Sequence, residues 1–186
     1  MGLIVLAGGE SARMGRDKAL LPVGGITLLE HILIQMEGYF AATYISVGHP
    51  GSYAFLEREK IPDPEPGQGP MMGLFAALSA SEFEKNFVIA CDIPEIDVDF
   101  VRKLAARARR SDIVLASLDG TRPEPLFGIY DRNVLSSIQG LLDAGERSLL
   151  PLFDLCSPEM IVVNGSWFRN LNTMDDYRDY RQGLAG

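Results

Sequence analysis

The 186-residue sequence has little of several residue types, and each shortage excludes a class of protein. Its two cysteines, Cys91 and Cys156, form no C-x-x-C pair, so we expect reduced thiols rather than a disulfide or a zinc site. No apolar run is long enough to cross a bilayer. No charged segment with a cleavage site precedes the first apolar run. These absences predict a cytoplasmic protein with no membrane partner.

Positive charge is also scarce, because 17 Lys and Arg residues stand against 25 Asp and Glu residues, for a net charge of −8. This balance argues against nucleic acid or an anionic membrane as partner. A small anionic ligand would require cations gathered in one place, and Arg13, Arg16 and Lys18 are gathered in this way. A second basic group lies on the polar side of a predicted helix over 98–110, where we expect solvated residues.

Apolar strand-like runs alternate with amphipathic helices along most of the chain. The pattern predicts an α/β fold: one three-layer, Rossmann-like domain over 1–186, with a mostly parallel sheet and helices on both faces. Strands are expected at 3–7, 43–47, 87–91, 113–117, 127–130 and 160–163. Helices are expected at 72–81, 98–110, 132–142 and 174–182, and one more carries the apolar positions 28, 29, 32, 33 and 36. Capping boxes at Thr27 with Glu30, and at Thr173 with Asp176, mark two helix starts.

The first apolar run ends abruptly in two glycines and a loop rich in small and basic residues. The residues concerned are Gly8, Gly9, Ser11, Arg13, Gly15 and Lys18. Glycines let a backbone approach a ligand closely, and backbone amides with cations suit a polyphosphate. The loop is not a Walker A motif, because no Ser or Thr follows a Gly-Lys pair, and its glycines lack the G-x-G-x-x-G spacing. The sequence therefore predicts a phosphate loop of a third kind.

A carboxylate follows another predicted strand, in Cys91-Asp92-Ile93-Pro94. Such a group can hold Mg²⁺ together with the phosphates of a substrate, although Asp92 can equally cap the turn or the next helix. Because ligands of doubly wound sheets bind beyond the carboxyl ends of strands, Gly8 and Asp92 are expected to share one cleft. The Pro- and Gly-rich stretch 61–70 is expected to be an active-site loop.

Residues 6–18 resemble the signature L-A-G-G-x-S-x-R-M-G-x-D-K of the nucleotidyltransferase superfamily, and within it the molybdenum cofactor guanylyltransferases. That family's later motifs, an Asp before G-P-x-x-G and then C-D-x-P, match Asp63, residues 69–73 and residues 91–94. The resemblance implies the nucleotide-diphospho-sugar transferase fold and Mg²⁺-dependent transfer of GMP from GTP to molybdopterin phosphate, with release of pyrophosphate. Three alternatives remain: a cytidylyltransferase of the same pathway, another nucleotidyltransferase of this fold, and a non-catalytic nucleotide-binding protein.

The resemblance also implies residue roles. It places the nucleotide against Leu6, Ala7, Gly8, Gly9, Lys18, Asp63 and Asp92. The predicted catalytic residues are Arg13, Lys18 and Asp92, with Arg13 binding phosphoryl oxygens as a fork and Lys18 as a point charge. Asp92 is also the predicted magnesium ligand. The nucleophile of the family is an ionised phosphate oxygen, so neither His31 nor His49 is needed as a base.

The segment 168–176 resembles the family's F-x-N-x-N-T-P-E-D-L stretch. Asn170 and Asn172 are therefore predicted to bind the acceptor, molybdopterin, and their alternative role is to close a turn before the last helix. The family often carries an Asn after its second strand, and this chain has Ser46-Val47-Gly48-His49 there. A transient contact with proteins that receive the cofactor is a further expectation.

Overall fold

A seven-stranded sheet lies at the centre of the computed structural model, which describes residues 1–8 and 15–184. Its strands are β1 (Gly2–Leu6), β4 (Ala42–Val47), β5 (Glu59–Pro62), β6 (Lys85–Ala90), β7 (Ile113–Ser117), β8 (Pro123–Asp131) and β9 (Glu159–Val162); β2 (Pro22–Val23) and β3 (Ile26–Thr27) form a separate ribbon. The helices are α1 (Leu28–Gln35), α2 (Gly69–Ala80), α3 (Val98–Arg107), α4 (Leu135–Asp143), α5 (Leu150–Cys156) and α6 (Met174–Leu184). No helix within these described residues is long and apolar enough to span a membrane.

The strands lie in the order β5-β4-β1-β6-β8-β7-β9. β1 pairs in parallel with β4 and β6, β4 with β5, and β7 with β9, whereas β8 runs antiparallel to both β6 and β7. The predicted mostly parallel sheet is therefore confirmed. Because β8 runs the other way, its first residues lie at the edge where the parallel strands end. At the opposite edge, the Ala41 amide donates to the Met1 carbonyl at 3.2 Å.

Both faces of the sheet are covered, which makes the three layers. Alternate residues of β1 face opposite sides, so Leu3 and Val5 pack in one core while Ile4 and Leu6 pack in the other. The first core also takes residues from α1, α3 and α6, and the second takes residues from α2, α4 and α5. Every residue of β1 is buried, and this is why its sequence is a continuous apolar run.

The predicted capping boxes are present. The Thr27 hydroxyl accepts from the Glu30 amide at 3.2 Å, while a Glu30 carboxylate oxygen accepts from the Thr27 amide at 2.8 Å. Asp176 and Thr173 make the same reciprocal pair at 3.1 and 2.7 Å, and α6 begins one residue after Thr173. These bonds lower the pKa of both carboxyl groups. They satisfy amides that the first turn of a helix leaves without intrahelical partners.

Several elements differ from the sequence expectations. The stretch 61–70 is not wholly a loop, because β5 ends at Pro62 and α2 begins at Gly69, three residues before its predicted start. β5, α5 and the β2–β3 ribbon were not expected. β5 is an edge strand that contains Glu59, Lys60 and Pro62, so it lacks an apolar pattern, and α5 has only seven residues.

Candidate active site

Lys18, which follows β1 in the chain, and Asp92, which follows β6, meet at one cleft. The Lys18 ammonium donates to an Asp92 carboxylate oxygen at 3.2 Å, although the two residues are 74 positions apart in the chain. Both side chains are partly exposed, at 15% for Lys18 and 25% for Asp92, so a ligand can reach them. The backbone of β6 also joins β1 directly, since the Cys91 amide donates to the Leu6 carbonyl at 3.1 Å.

Lys18 begins a short 3-10 helix (Lys18–Leu20), and Asp17 caps its start. A carboxylate oxygen of Asp17 accepts from the Ala19 amide at 3.0 Å. The other oxygen lies 2.8 Å from the hydroxyl of Tyr53, which also lies 2.9 Å from the Ala7 carbonyl. Tyr53 is buried, and burial next to Asp17 raises the pKa of its phenol. Tyr53 therefore joins the end of β1 to the residue that positions Lys18, a role that no sequence pattern indicated.

Neighbouring residues cover and hydrogen-bond the end of β1. The Ala7 amide donates to the Ser46 carbonyl at 2.9 Å, and Leu6 and Ala7 are buried. Gly8 is the first residue after β1 that is partly exposed. A Cβ atom on Gly8 would lie 2.8 Å from the amide nitrogen of Gly48, a backbone atom that cannot turn aside. The predicted Gly9 and Arg13 lie outside the described residues.

Asp63 lies beside the same strand end. Its amide donates to the Val47 carbonyl at 2.9 Å, and its carboxylate accepts from the Ser46 hydroxyl at 3.4 Å. Burial raises the pKa of Asp63, against smaller lowering effects of Ser46 and His49. Gly73 of α2 packs against this pair, because a Cβ atom there would lie 2.7 Å from the Ser46 hydroxyl oxygen. The second predicted carboxylate is therefore held at the β4 side of β1.

The two predicted acceptor residues are placed differently. The Leu171 amide donates to the Asp92 carbonyl at 2.8 Å, which fastens their segment to the cleft. Asn170 is partly buried, and its amide group donates to a Glu124 carboxylate oxygen at 3.4 Å. Asn172 is exposed, and its backbone amide donates to Asp176 at 3.0 Å. Asn170 therefore faces into the protein beside Asp92, while Asn172 also takes part in the start of α6.

The structure also shows the surroundings of Cys91 and of the second basic group. Burial raises the pKa of the Cys91 thiol to about 12, and the charges of Asp92 and Asp17 add to the effect. That thiol is thus a poor nucleophile at neutral pH. In the second basic group, Arg107, Arg109 and Arg110 line a surface cavity of about 530 Å³, in which Arg107 donates to Glu159 at 2.8 Å.

Comparison with known proteins identifies the family. The sequence profile described as the MobA-like NTP transferase domain matches residues 3–156, which is most of the chain. This chain belongs to that family.

Individual relatives agree with this assignment. The probable molybdenum cofactor guanylyltransferase of Carboxydothermus hydrogenoformans is 30% identical over 93% of this chain and 91% of its own length. The probable molybdenum cofactor guanylyltransferase of Pelotomaculum thermopropionicum is 32% identical over 93% of this chain and 82% of its own. The crystal structure of molybdopterin-guanine dinucleotide biosynthesis protein A from Archaeoglobus fulgidus has a TM-score of 0.86 over 100% of this chain and 99% of its own, at 24% identity. The last comparison confirms the predicted fold class.

For a member of the NTP transferase family, the geometry satisfies two chemical requirements. A cation and a carboxylate from distant parts of the chain lie in contact at the carboxyl edge of the sheet. The cation can bind phosphate oxygens directly, whereas a carboxylate can serve phosphate chemistry by holding a metal ion. Asp63 and Gly8 lie on the β4 side of this pair, and Glu124 and Asn170 lie on the β8 side. The cleft thus has two sides with the Lys18–Asp92 pair between them.

Proposed function

We propose that the protein is a molybdenum cofactor guanylyltransferase, which transfers GMP from GTP to the phosphate of molybdopterin and releases pyrophosphate. The observation that supports this most directly is the contact of 3.2 Å between Lys18 and Asp92 at the ends of β1 and β6. The relatives that carry this name are about 30% identical over nearly the whole chain. GTP and molybdopterin are accordingly the proposed substrates.

The sheet order suggests how the two substrates are arranged. β4 and β5 lie on one side of β1, and β8 lies beyond β6. The proposed nucleotide contacts, Gly8 and Asp63, belong to the first side, whereas Asn170 belongs to the second. An acceptor phosphate that approaches from the β8 side attacks the α-phosphorus opposite the leaving pyrophosphate, as in-line displacement requires. The residues of the cleft then act chiefly by positioning.

Lys18 is proposed to bind the phosphate oxygens as a point charge, with Arg13 as a second cation. The attacking phosphate oxygen is ionised at neutral pH, so no side chain has to remove a proton. Tyr53 and Asp17 hold the start of the 3-10 helix and thereby fix the backbone from which Lys18 extends. Leu6 and Ala7 are both buried, so only a small part of each is accessible for contact with the guanine.

A magnesium ion fits this cleft when the nucleotide supplies most of its ligands. Mg²⁺ is often held by one or two carboxylates together with substrate phosphates. Within 1–8 and 15–184 no group of three or more His, Cys, Asp and Glu side chains is arranged to hold a metal, which favours such a shared site over a cage built by the protein. Asp92 would hold the ion, and the ion would neutralise charge on the transferring phosphate.

The direct test offers GTP, CTP and ATP separately to the purified protein with molybdopterin and Mg²⁺, and measures pyrophosphate. We expect release with GTP and the guanine dinucleotide as product. Preference for CTP would replace this proposal with a cytidylyltransferase. Binding of GTP without release from any nucleotide would indicate a non-catalytic nucleotide-binding protein.

A further inference from the structure

A half-buried carboxylate, Glu124, faces the cleft from β8. β8 is irregular between Glu124 and Gly128, where its register against β7 shifts. The segment around Asn170 links Glu124 to Asp92: the Asn170 amide group donates to Glu124 at 3.4 Å, and the amide of the next residue, Leu171, donates to the Asp92 carbonyl at 2.8 Å. Burial raises the pKa of Glu124, and the charge of Asp92 raises it further. Both observations place the two carboxylates near each other at one edge of the sheet.

The surroundings of Glu124 are unusual for a cleft that binds phosphates. Within the described residues it forms no ion pair with a Lys, Arg or His side chain. One of its oxygens accepts from the Asn170 amide group at 3.4 Å, and the other has no donor in that part of the chain. An unpaired carboxylate repels phosphates and loses solvation when it is buried. Its presence is therefore consistent with a ligand group that donates hydrogen bonds.

The pterin part of the acceptor offers such donors. A pterin ring carries a ring N–H next to an exocyclic amino group, and two parallel N–H donors match the two oxygens of a carboxylate. Guanine has the same pair of donors, but the proposed nucleotide contacts lie on the β4 side of β1. Glu124 lies on the other side of Asp92, beside Asn170. The position of Glu124 in the sheet thus favours the acceptor over the nucleotide.

We propose that Glu124 determines specificity for the acceptor: its carboxylate, oriented by Asn170, accepts hydrogen bonds from the ring N–H and the amino group of the pterin. This inference rests on the proposed function for the identity of the acceptor. It assigns Glu124 a contact with substrate and gives Asn170 the task of positioning Glu124.

The test compares two ligands that differ in one group. Pterin carries the amino group, and lumazine carries an oxo group in its place; both are fluorescent, so their dissociation constants can be measured by titration. For the wild-type protein we expect pterin to bind about ten- to a hundredfold more tightly than lumazine, the usual effect of losing a charge-assisted hydrogen bond. Glu124→Gln should bring this ratio near one. Glu82→Gln, which changes an exposed carboxylate on another part of the surface, should leave the ratio unchanged.

Three results for Glu124→Gln would overturn the inference. The first is an unchanged ratio of the pterin and lumazine dissociation constants, and the second is a KM that is raised for GTP and not for molybdopterin. The third is weakened Mn²⁺ binding, which would make Glu124 a metal ligand. The variant is expected to fold, because glutamine has the same shape and removes a charge that burial and Asp92 disfavour. The proposed function is judged separately by GMP transfer in the wild-type protein. If the wild-type protein transfers GMP but Glu124→Gln leaves the ratio of the two dissociation constants unchanged, only the role of Glu124 is rejected. If the ratio depends on Glu124 but the wild-type protein transfers no GMP, only the proposed guanylyltransferase function is rejected.

Discussion

At the scale of single residues, Lys18 and Asp92 are proposed to bind ligands, and their ion pair is expected to contribute little to stability. Their contact of 3.2 Å joins side chains that are both partly exposed. Ion pairs of this kind contribute on the order of 1 kcal/mol or less to folding, because water screens them. A substitution at either position should therefore separate catalysis from folding.

Asp92→Asn should lower the turnover number for pyrophosphate release at least about a hundredfold, because the amide removes the charge proposed to hold the metal. Its free energy of unfolding should change by about 1 kcal/mol or less. Asp99→Asn is the matched control, since Asp99 is exposed and its carboxylate, among the described residues, pairs with Arg102 on its own helix at 2.7 Å. Turnover close to the wild-type value in Asp92→Asn would reject the metal role.

At Asp63, the negative charge itself is expected to lower the stability of the folded protein. Burial raises its pKa, so the folded protein binds this proton more tightly than the unfolded chain does. The ionised carboxylate accordingly disfavours the folded state at neutral pH. Asp63→Asn should raise the free energy of unfolding at pH 7, and the gain should vanish as the pH falls below the pKa of the unfolded carboxyl group, where the wild-type side chain is also neutral. Urea unfolding at a series of pH values measures this, and a loss of stability at pH 7 would contradict it.

At the scale of secondary-structure elements, α2 approaches the cleft closely at one residue, Gly73. A Cβ atom there would lie 2.7 Å from the Ser46 hydroxyl oxygen and 3.4 Å from the Asp63 carboxylate. Alanine must therefore turn the Ser46 hydroxyl away from Asp63. The close packing of α2 on β4 depends on the missing side chain.

Two helical glycines allow this packing to be measured. Gly73→Ala and Gly140→Ala gain the same helix propensity, about 1 kcal/mol, but a Cβ atom at Gly140 meets no other atom within 4 Å. We expect Gly73→Ala to be less stable than Gly140→Ala by about 1–3 kcal/mol, the cost of overpacking, and to bind GTP more weakly. Urea unfolding and a GTP titration provide the two measurements. Equal stabilities would show that α2 shifts without cost.

Elements with a clear burial pattern could be predicted from the sequence. β1 is apolar throughout because both of its faces are buried, and α1 has a capped start and one apolar face. β5 could not be predicted, because a short edge strand with Glu59 and Lys60 needs no apolar pattern. Its existence depends on pairing with β4, which is a tertiary contact.

The candidate site likewise contains residues that could be predicted from the sequence and residues that could not. Lys18 and Asp92 follow strands, so a parallel sheet predicts that they meet, and they do. Glu124 lies near the start of a strand, and it reaches the same edge only because β8 is antiparallel. No local pattern around Glu124 reveals that direction. Tyr53 was missed for a related reason, since its two acceptors lie 46 and 36 positions away in the chain.

At the scale of the whole molecule, the single tryptophan provides a probe of cooperativity. Trp167 packs against Phe100 of α3 and Phe127 of β8, with ring centroids 5.6 and 5.8 Å apart. If residues 1–186 form one domain, as the sequence predicts, Trp167 fluorescence and far-UV circular dichroism should give coincident urea unfolding curves. An earlier fluorescence transition would show that the segment around Trp167 unfolds separately.

The direction of β1 has a practical consequence. Met1 lies at the amino edge, where its carbonyl accepts from Ala41, and the five residues of β1 then span roughly 16 Å before the cleft begins. A tag or surface linker attached ahead of Met1 would therefore project away from the proposed nucleotide site. The protein can be immobilised through that end on a biosensor chip with the candidate cleft open to solution.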